Sequence, residues 1–272
     1  MNTITTVLGG SGVNDSSHLD KEEIIDRDVV IAETPIHFHI VIANECLRLS
    51  DIVPLARTTC DTLLNSVICR LIKNERHIPC HKGCAACCSY LVPLSTPEVF
   101  RMQDEFSLMP ADDRIPLLES CIHTAHQILN RNRMEFETNE SSGLKEISEW
   151  YAGLQIKCPF LSNGICLIYE HRPLACREHF VTSSSDHCKS ESTYNPQVVR
   201  LPISIAEVLG EFSAKLEQSE TEAVMLPLAF IGTDAVIERS KQTWDTVAMV
   251  NLFLDVLEQT AVKNSEMLTE AL

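Results

Sequence analysis

The stretch Cys80-His81-Lys82-Gly83-Cys84-Ala85-Ala86-Cys87-Cys88 decides how the rest of the chain is read. Its cysteines are separated by glycine, alanine and histidine, not by the aliphatic period in which core cysteines sit. Small residues let a turn fold tightly enough to aim two or three sulfurs at one metal. A tetrahedral site must then borrow from elsewhere. The donors are in the second group: Cys158-Pro159-Phe160, Gly164-Ile165-Cys166, Cys176-Arg177 and Cys188. Adjacent side chains diverge and a disulfide between neighbours is strained, so Cys87 and Cys88 are expected to face two metals or two atoms of one cluster. Eight cysteines, namely Cys80, Cys84, Cys87, Cys88, Cys158, Cys166, Cys176 and Cys188, then fit two four-sulfur sites.

Residues between the cysteines have roles to match. Arg172 and Arg177 flank Cys176 in a short helix begun by Pro173. Guanidinium groups beside thiolates offset their charge and lower thiol pKa values. Pairing of Arg172 with Glu170 or Glu178 at the surface is the equal alternative. Tyr169 either donates to a sulfur or packs. His81, His171, His179 and His187 lie close to cysteines and are read as outer or exposed groups. Zinc and iron–sulfur clusters take the same thiolates, and spacing does not separate them. The large thiolate total, drawn from loops, favours an iron–sulfur cluster, with zinc as the alternative. A thioredoxin-like use of Cys84-Ala-Ala-Cys87 would need an α/β domain that the chain does not offer.

Outward from this centre the signals are helical. Ile52, Leu55, Ala56, Cys60, Leu63, Leu64, Val67, Ile68 and Leu71 recur at spacings of three and four, which predicts a helix from Asp51 to about Asn74. Pro54 stands in its first turn, and Cys60 and Cys69 read as core filling. Ser95-Thr96-Pro97-Glu98 is a capping-box start for a helix through Phe106. Ile115, Leu118, Cys121, Ile122, Ala125, Ile128 and Leu129 mark another helix, with His123 and His126 facing solvent. Thr138 to Gly143 reads as a loop, and Ile147, Trp150, Tyr151 and Leu154 as a short helix. Further helical patterns follow at Ile205–Leu216 and Trp244–Leu257. Residues 29–45, with His37-Phe38-His39 among them, fit a short strand or a helix start. The fold expected is mainly α, a helical protein around an irregular cysteine-rich metal-binding centre. Its regions are a flexible tail over 1–28, a helical region over 29–79, the cysteine-cluster domain over 80–190 and a helical region over 191–272.

Composition sets limits. The 272 residues carry a formal charge of −16, too acidic for a surface that must neutralise phosphates, so no nucleic acid is expected. Of the twelve cysteines, nine lie between Cys80 and Cys188 and none follows. The start lacks a secretory signal, so cysteines at this density point to metal or redox use in the cytoplasm rather than to disulfides. No apolar stretch is long enough for a membrane span. Gly9-Gly10-Ser11-Gly12 lacks the strand and Lys-Ser/Thr of a phosphate loop. No zincin motif or nucleophile elbow occurs either.

The run Cys80-x3-Cys84-x2-Cys87-Cys88, then Cys158-Pro-Phe-Leu, Cys166-Leu-Ile-Tyr-Glu-His-Arg-Pro-Leu-Ala-Cys176-Arg-Glu-His-Phe and Cys188, resembles the YkgJ-like cysteine-cluster family. That family is described as a zinc- or iron-chelating domain. The block from Cys166 to Arg177 is the specific part. One departure is that three residues, not two, separate Cys80 from Cys84. Cys46, Cys60, Cys69, Cys121 and the flanking helices have no counterpart in the motif. The resemblance implies metal binding and leaves the reaction open. A related pattern in flagellin lysine methylases suggests a peptide or protein substrate for some members. A metal-dependent enzyme modifying a peptide, protein or small metabolite is thus one expectation. A zinc or iron delivery protein, or a helical module with structural zinc, is the other.

Overall fold

The computed structural model describes residues 2–9, 23–135, 144–189 and 191–270. Among them run eight α-helices: α1 Val53–Lys73, α2 Thr96–Ser107, α3 Ala111–Glu135, α4 Leu144–Gly153, α5 Leu174–Glu178, α6 Ile205–Glu217, α7 Asp234–Ser240 and α8 Thr246–Glu270. None of these is long and apolar enough to cross a membrane. The glycine-rich stretch from Gly10 to Gly12 and the expected loop over Thr138 to Gly143 lie outside the described residues.

The apolar period of α1 does what it predicts, burying Leu55, Ala56, Cys60, Leu63, Leu64 and Val67. Cys69 is a correction. It is exposed, because it falls off that buried stripe. In α2, the Ser95 N–H donates to Glu98 Oε2 at 3.3 Å while Ser95 Oγ accepts from the Glu98 backbone N–H, the reciprocal pair of a capping box, and the Ser95 Oγ–H also donates to Oε2 at 3.2 Å. Helix α3 buries a narrower face than its sequence suggests: Cys121, Ala125 and Ile128 are covered, whereas Ile115, Ile122 and Leu129 stay exposed. His123 and His126 face solvent.

The mainly-α expectation needs correction, because the fold is helix-rich but mixed. Residues expected in a flexible tail and a helical region instead form a three-stranded sheet. Its strands are β1 Asn2–Leu8, β2 Glu23–Ile31 and β3 Thr34–Ile42, in the order β1-β3-β2. Strand β1 runs parallel to β3, pairing Ile4 with Phe38, and β2 runs antiparallel to β3, pairing Asp26 with His39. Ile4, Leu8, Val29, Ile31, Ile36, Phe38, Ile40 and Ile42 alternate onto one buried face, the period-two pattern of a half-covered sheet. Helix α8 covers β2 and α1 covers β1 on this side. Arg27 fastens β2 to α8 through Asp255 and Glu258, each at 2.6 Å. Two further three-residue ladders pair 46–48 with 243–245 and 93–95 with 223–225.

One continuous core runs from Ile4 to Ala261. It takes in Phe160, Ile168 and Leu174 from the cysteine-rich segment, so that segment is fixed to the helices by burial. Phe160 meets Phe106 edge-on, with ring centroids 5.4 Å apart. A buried ion pair reinforces the junction: Arg57 of α1 reaches Glu105 of α2 at 2.6 Å and donates to the His171 carbonyl at 2.9 Å. Burial pushes the Glu105 carboxyl up, but hydrogen bonds and charge from Arg57 and Arg101 outweigh it and hold the group below its ordinary value. A carboxyl depressed in the folded state stabilises above the unfolded pKa, and that stability is lost as pH falls through the folded one. Urea midpoints measured on acidification are therefore expected to fall more steeply in the native protein than in Glu105→Gln. Parallel curves would contradict this.

Candidate metal centre

The first cysteine group is a chain of tight turns. Cys84 N–H donates to the His81 carbonyl at 3.0 Å, Cys88 N–H to Ala85 at 3.1 Å and Tyr90 N–H to Cys87 at 3.0 Å. Gly83 sits at φ +97°, with open space where a Cβ would be. Backbone conformation alone therefore calls for glycine there.

The second group is brought against the first by one short contact, Cys158 N–H to the Cys88 carbonyl at 2.6 Å. From Cys158 the chain enters a hairpin pairing Leu161–Ser162 with Ile165–Cys166. Its two-residue turn is Asn163-Gly164, at φ 49° and 77°. Both residues are left-handed, which is why Asn-Gly is favoured there. The turn sets Cys166 opposite Leu161. Its Asn-Gly signal was present in the sequence and was missed. Cys176 lies within α5, behind Pro173, and the first amide of that helix, Leu174 N–H, donates to Glu98 Oε1 at 2.8 Å. Cys188 ends the 3-10 turn Ser185–Cys188 and is only 3% exposed. A short ladder of Phe180–Val181 with Val198–Val199 precedes and follows that turn.

All twelve cysteines are free thiols. Electrostatics identifies neighbours among the eight. Burial first, then the proximity of Cys87, Cys80 and Cys84, pushes Cys188 up to about 11. Burial with Cys158, Cys87 and Cys166 nearby pushes Cys176 well up. The Cys158 thiol, buried and close to Cys166 and Cys87, rises to about 12. Cys87 is a hub, felt by Cys80, Cys88, Cys158, Cys166, Cys176 and Cys188. It is itself lowered to about 7, chiefly by a hydrogen bond from Cys88, which is raised by the same bond. Among the described residues no three cysteine sulfurs lie within 4.8 Å of one another.

The intervening residues divide differently from expectation. Arg172 lies beside the thiols, easing the ionisation of Cys80, Cys87, Cys166 and Cys176. Its guanidinium stacks 4.2 Å from the Tyr169 ring centroid, with Lys82 Nζ 5.4 Å from the same ring. Tyr169 therefore acts through its face, as a platform for Arg172. The surface pairing of Arg172 is not made: Glu170 pairs with Lys82 at 2.7 Å and Glu178 accepts from Ser204 and Ala206 at the start of α6. Arg177 turns away from the thiols. It binds both Asp61 oxygens, at 2.8 and 2.7 Å, and the carbonyls of Arg172 and Glu170, tying the 170–172 turn to α1. His81 and His171 are exposed. His179 lies edge-on to Tyr90, and His187 stacks on Tyr194.

The donor chemistry fits a soft, thiolate-bound metal. Buried thiols with raised pKa values stay protonated until a cation displaces the proton. Backbone amides of Phe160, Ile168 and Val181 bond to the sulfurs of Cys158, Cys166 and Cys80, favouring their ionised forms. Arg172 Nε, His179 Nε2 and His187 Nδ1 are buried without a hydrogen-bond partner, donors or acceptors that an anionic centre would engage. A cleft of about 530 Å³ opens over the patch, lined by Cys84 and Cys88 together with Gly83, Lys157 and Lys189.

No curated protein and no solved structure matches the chain. Residues 79–197 match the family model CxxCxxCC, described as "Putative zinc- or iron-chelating domain", the segment that brings the eight thiols into one patch. In this metal-binding chain the similarity to that family is thus confined to the cysteine-rich part, residues 79–197.

Proposed function

We propose that this segment holds iron as iron–sulfur clusters, in two four-sulfur groups that meet at Cys87-Cys88. Cys80, Cys84, Cys87 and Cys188 form one group; Cys88, Cys158, Cys166 and Cys176 form the other. The observation that carries the reading is the width of the patch. Four thiolates on one zinc at about 2.3 Å lie less than about 4 Å apart, whereas no three of these sulfurs fall within 4.8 Å of each other. A polynuclear centre accommodates wider spacing. Such a centre supplies electron transfer or substrate polarisation. The chain's own residues hold it, offset its charge through Arg172, and keep one side open through the cleft at Cys84 and Cys88.

That opening supports a metal-dependent reaction on a peptide, protein or small metabolite; Lys157 lines it, while Lys189 there is paired with Asp186 at 2.6 Å. Free thiols throughout support a reducing compartment such as the cytoplasm. A second reading, structural or deliverable zinc, draws on the insertion of Phe160, Ile168 and Leu174 into the core, since a closed site there would staple the segment to the helices.

The deciding experiment is purification without oxygen, followed by visible absorption and assays of metal and acid-labile sulfide. Iron with sulfide and visible absorption is the expected result. A colourless protein carrying about two zinc ions would favour the second reading, and reactive thiols without metal would overturn both.

A further inference from the structure

The outward face of the three-stranded sheet carries a second cluster of ligands, on strands that hold none of the eight cysteines. His37 and His39 stand two apart on β3, so both imidazoles leave the same face. Across the ladder, Asp28 pairs with His37 and Asp26 with His39, and on the other side β1 brings Thr3 and Thr5 into register with the two histidines. Asp26 Oδ1 is the point of convergence, 2.7 Å from His39 Nδ1 and 3.5 Å from His37 Nε2. One ligand atom from each of Asp26, His37 and His39 lies within 4.8 Å of the other two.

We propose that these three residues form a binding site for one divalent cation of the borderline class, with zinc as its first occupant. Two imidazoles and a carboxylate are the donor set of open, three-ligand zinc sites, in which water completes the shell. Asp28 supplies a second, independent feature. Its Oδ1 lies 2.8 Å from His37 Nδ1, the outer carboxylate that metal-binding histidines ordinarily carry. With the proton held on Nδ1, the lone pair of Nε2 is turned toward Asp26. Strand pairing fixes all four side chains on a rigid element, which keeps the ordering cost of binding low. Their side chains are roughly one-third to three-fifths exposed, so the cation exchanges with solvent. This site is harder and more open than the cysteine patch, and the two differ in the metals they prefer.

The test uses the full chain after its cysteine centre has been loaded. Zinc is titrated in while the His37 and His39 imidazole nitrogen resonances are followed by NMR, a readout on a strand that carries none of the eight cysteines. Shifts of His37 and His39 that saturate together at one added ion are expected. Asp28→Asn removes no ligand, yet is expected to weaken this binding by tenfold or more, and His39→Asn to abolish it. Unmoved His37 and His39 resonances at saturating zinc, or native affinity in both variants, would overturn the site. Because the signal arises on β3, failure of the cysteine reading leaves this outcome unaffected.

Discussion

Replacing Cys87 with serine is expected to remove more bound metal than any other single cysteine change. Its sulfur is the one that six of the other seven thiols feel. Cys84→Ser and Cys166→Ser each touch one end of the patch, so each should lose about half of the metal and leave the other group filled. Cys69→Ser, at an exposed position on α1, should lose none. Structural metal sites contribute on the order of 10 kcal/mol to the fold around them. Stripping the metal with a chelator should therefore lower Tm by about 10 °C or more. The far-UV helix signal of the rest should persist longer, because α1 and α8 pack on the sheet and α6 packs on α8 and α1 without help from the eight cysteines of the patch. Metal analysis on the four proteins decides the matter. Equal losses in all four, Cys69→Ser included, would show that the partition around Cys87 is wrong.

What could be read from the sequence follows from how local each signal is. The α1 period, the Ser95–Glu98 capping box and the Pro173 start of α5 are written within a few residues, and each appears where its spacing puts it. The sheet was hidden for the opposite reason. Asn2–Leu8 alternates threonines with Ile4 and Leu8, a pattern that means little until β3 supplies a partner more than thirty residues away. The β2–β3 hairpin turns on Ala32-Glu33, both at positive φ, without the glycine or asparagine that ordinarily announces such a turn. At the candidate metal centre, residue types and spacing pick out the eight thiols as candidates, but not their geometry. Arg172 and Arg177 are both candidates by position. Only the packing of α5 on α1, which brings Asp61 to Arg177 and leaves Arg172 to the sulfurs, distinguishes them. Asp26 and Asp28 were invisible as partners of the histidines because cross-strand register cannot be read from one strand.

Glu98→Ala should weaken the fold and the metal centre together, because this carboxylate joins them. It is buried, at 1% exposure, and burial, the leading cause, raises its pKa against the hydrogen bonds that favour its charge. Oε2 accepts from Ser95 N–H and Oγ–H at the start of α2, while Oε1 accepts the Leu174 amide, two residues before Cys176. Alanine removes the cap, costing about 1 kcal/mol, and strands a buried Leu174 N–H, costing about 1–3 kcal/mol. A loss of about 2–4 kcal/mol is expected, with reduced metal occupancy as α5 loosens and Cys176 leaves its place. Glu98→Gln separates this bridge from a general sensitivity of the core. Its amide oxygen can still accept from Leu174 while its NH2 donates to Ser95 Oγ, so one bond of three is lost, about 1 kcal/mol, and metal content should remain near native. Urea denaturation and metal analysis of both variants check the two halves. If Glu98→Gln loses as much metal as Glu98→Ala, the carboxylate acts on the centre by its charge and not by holding α5.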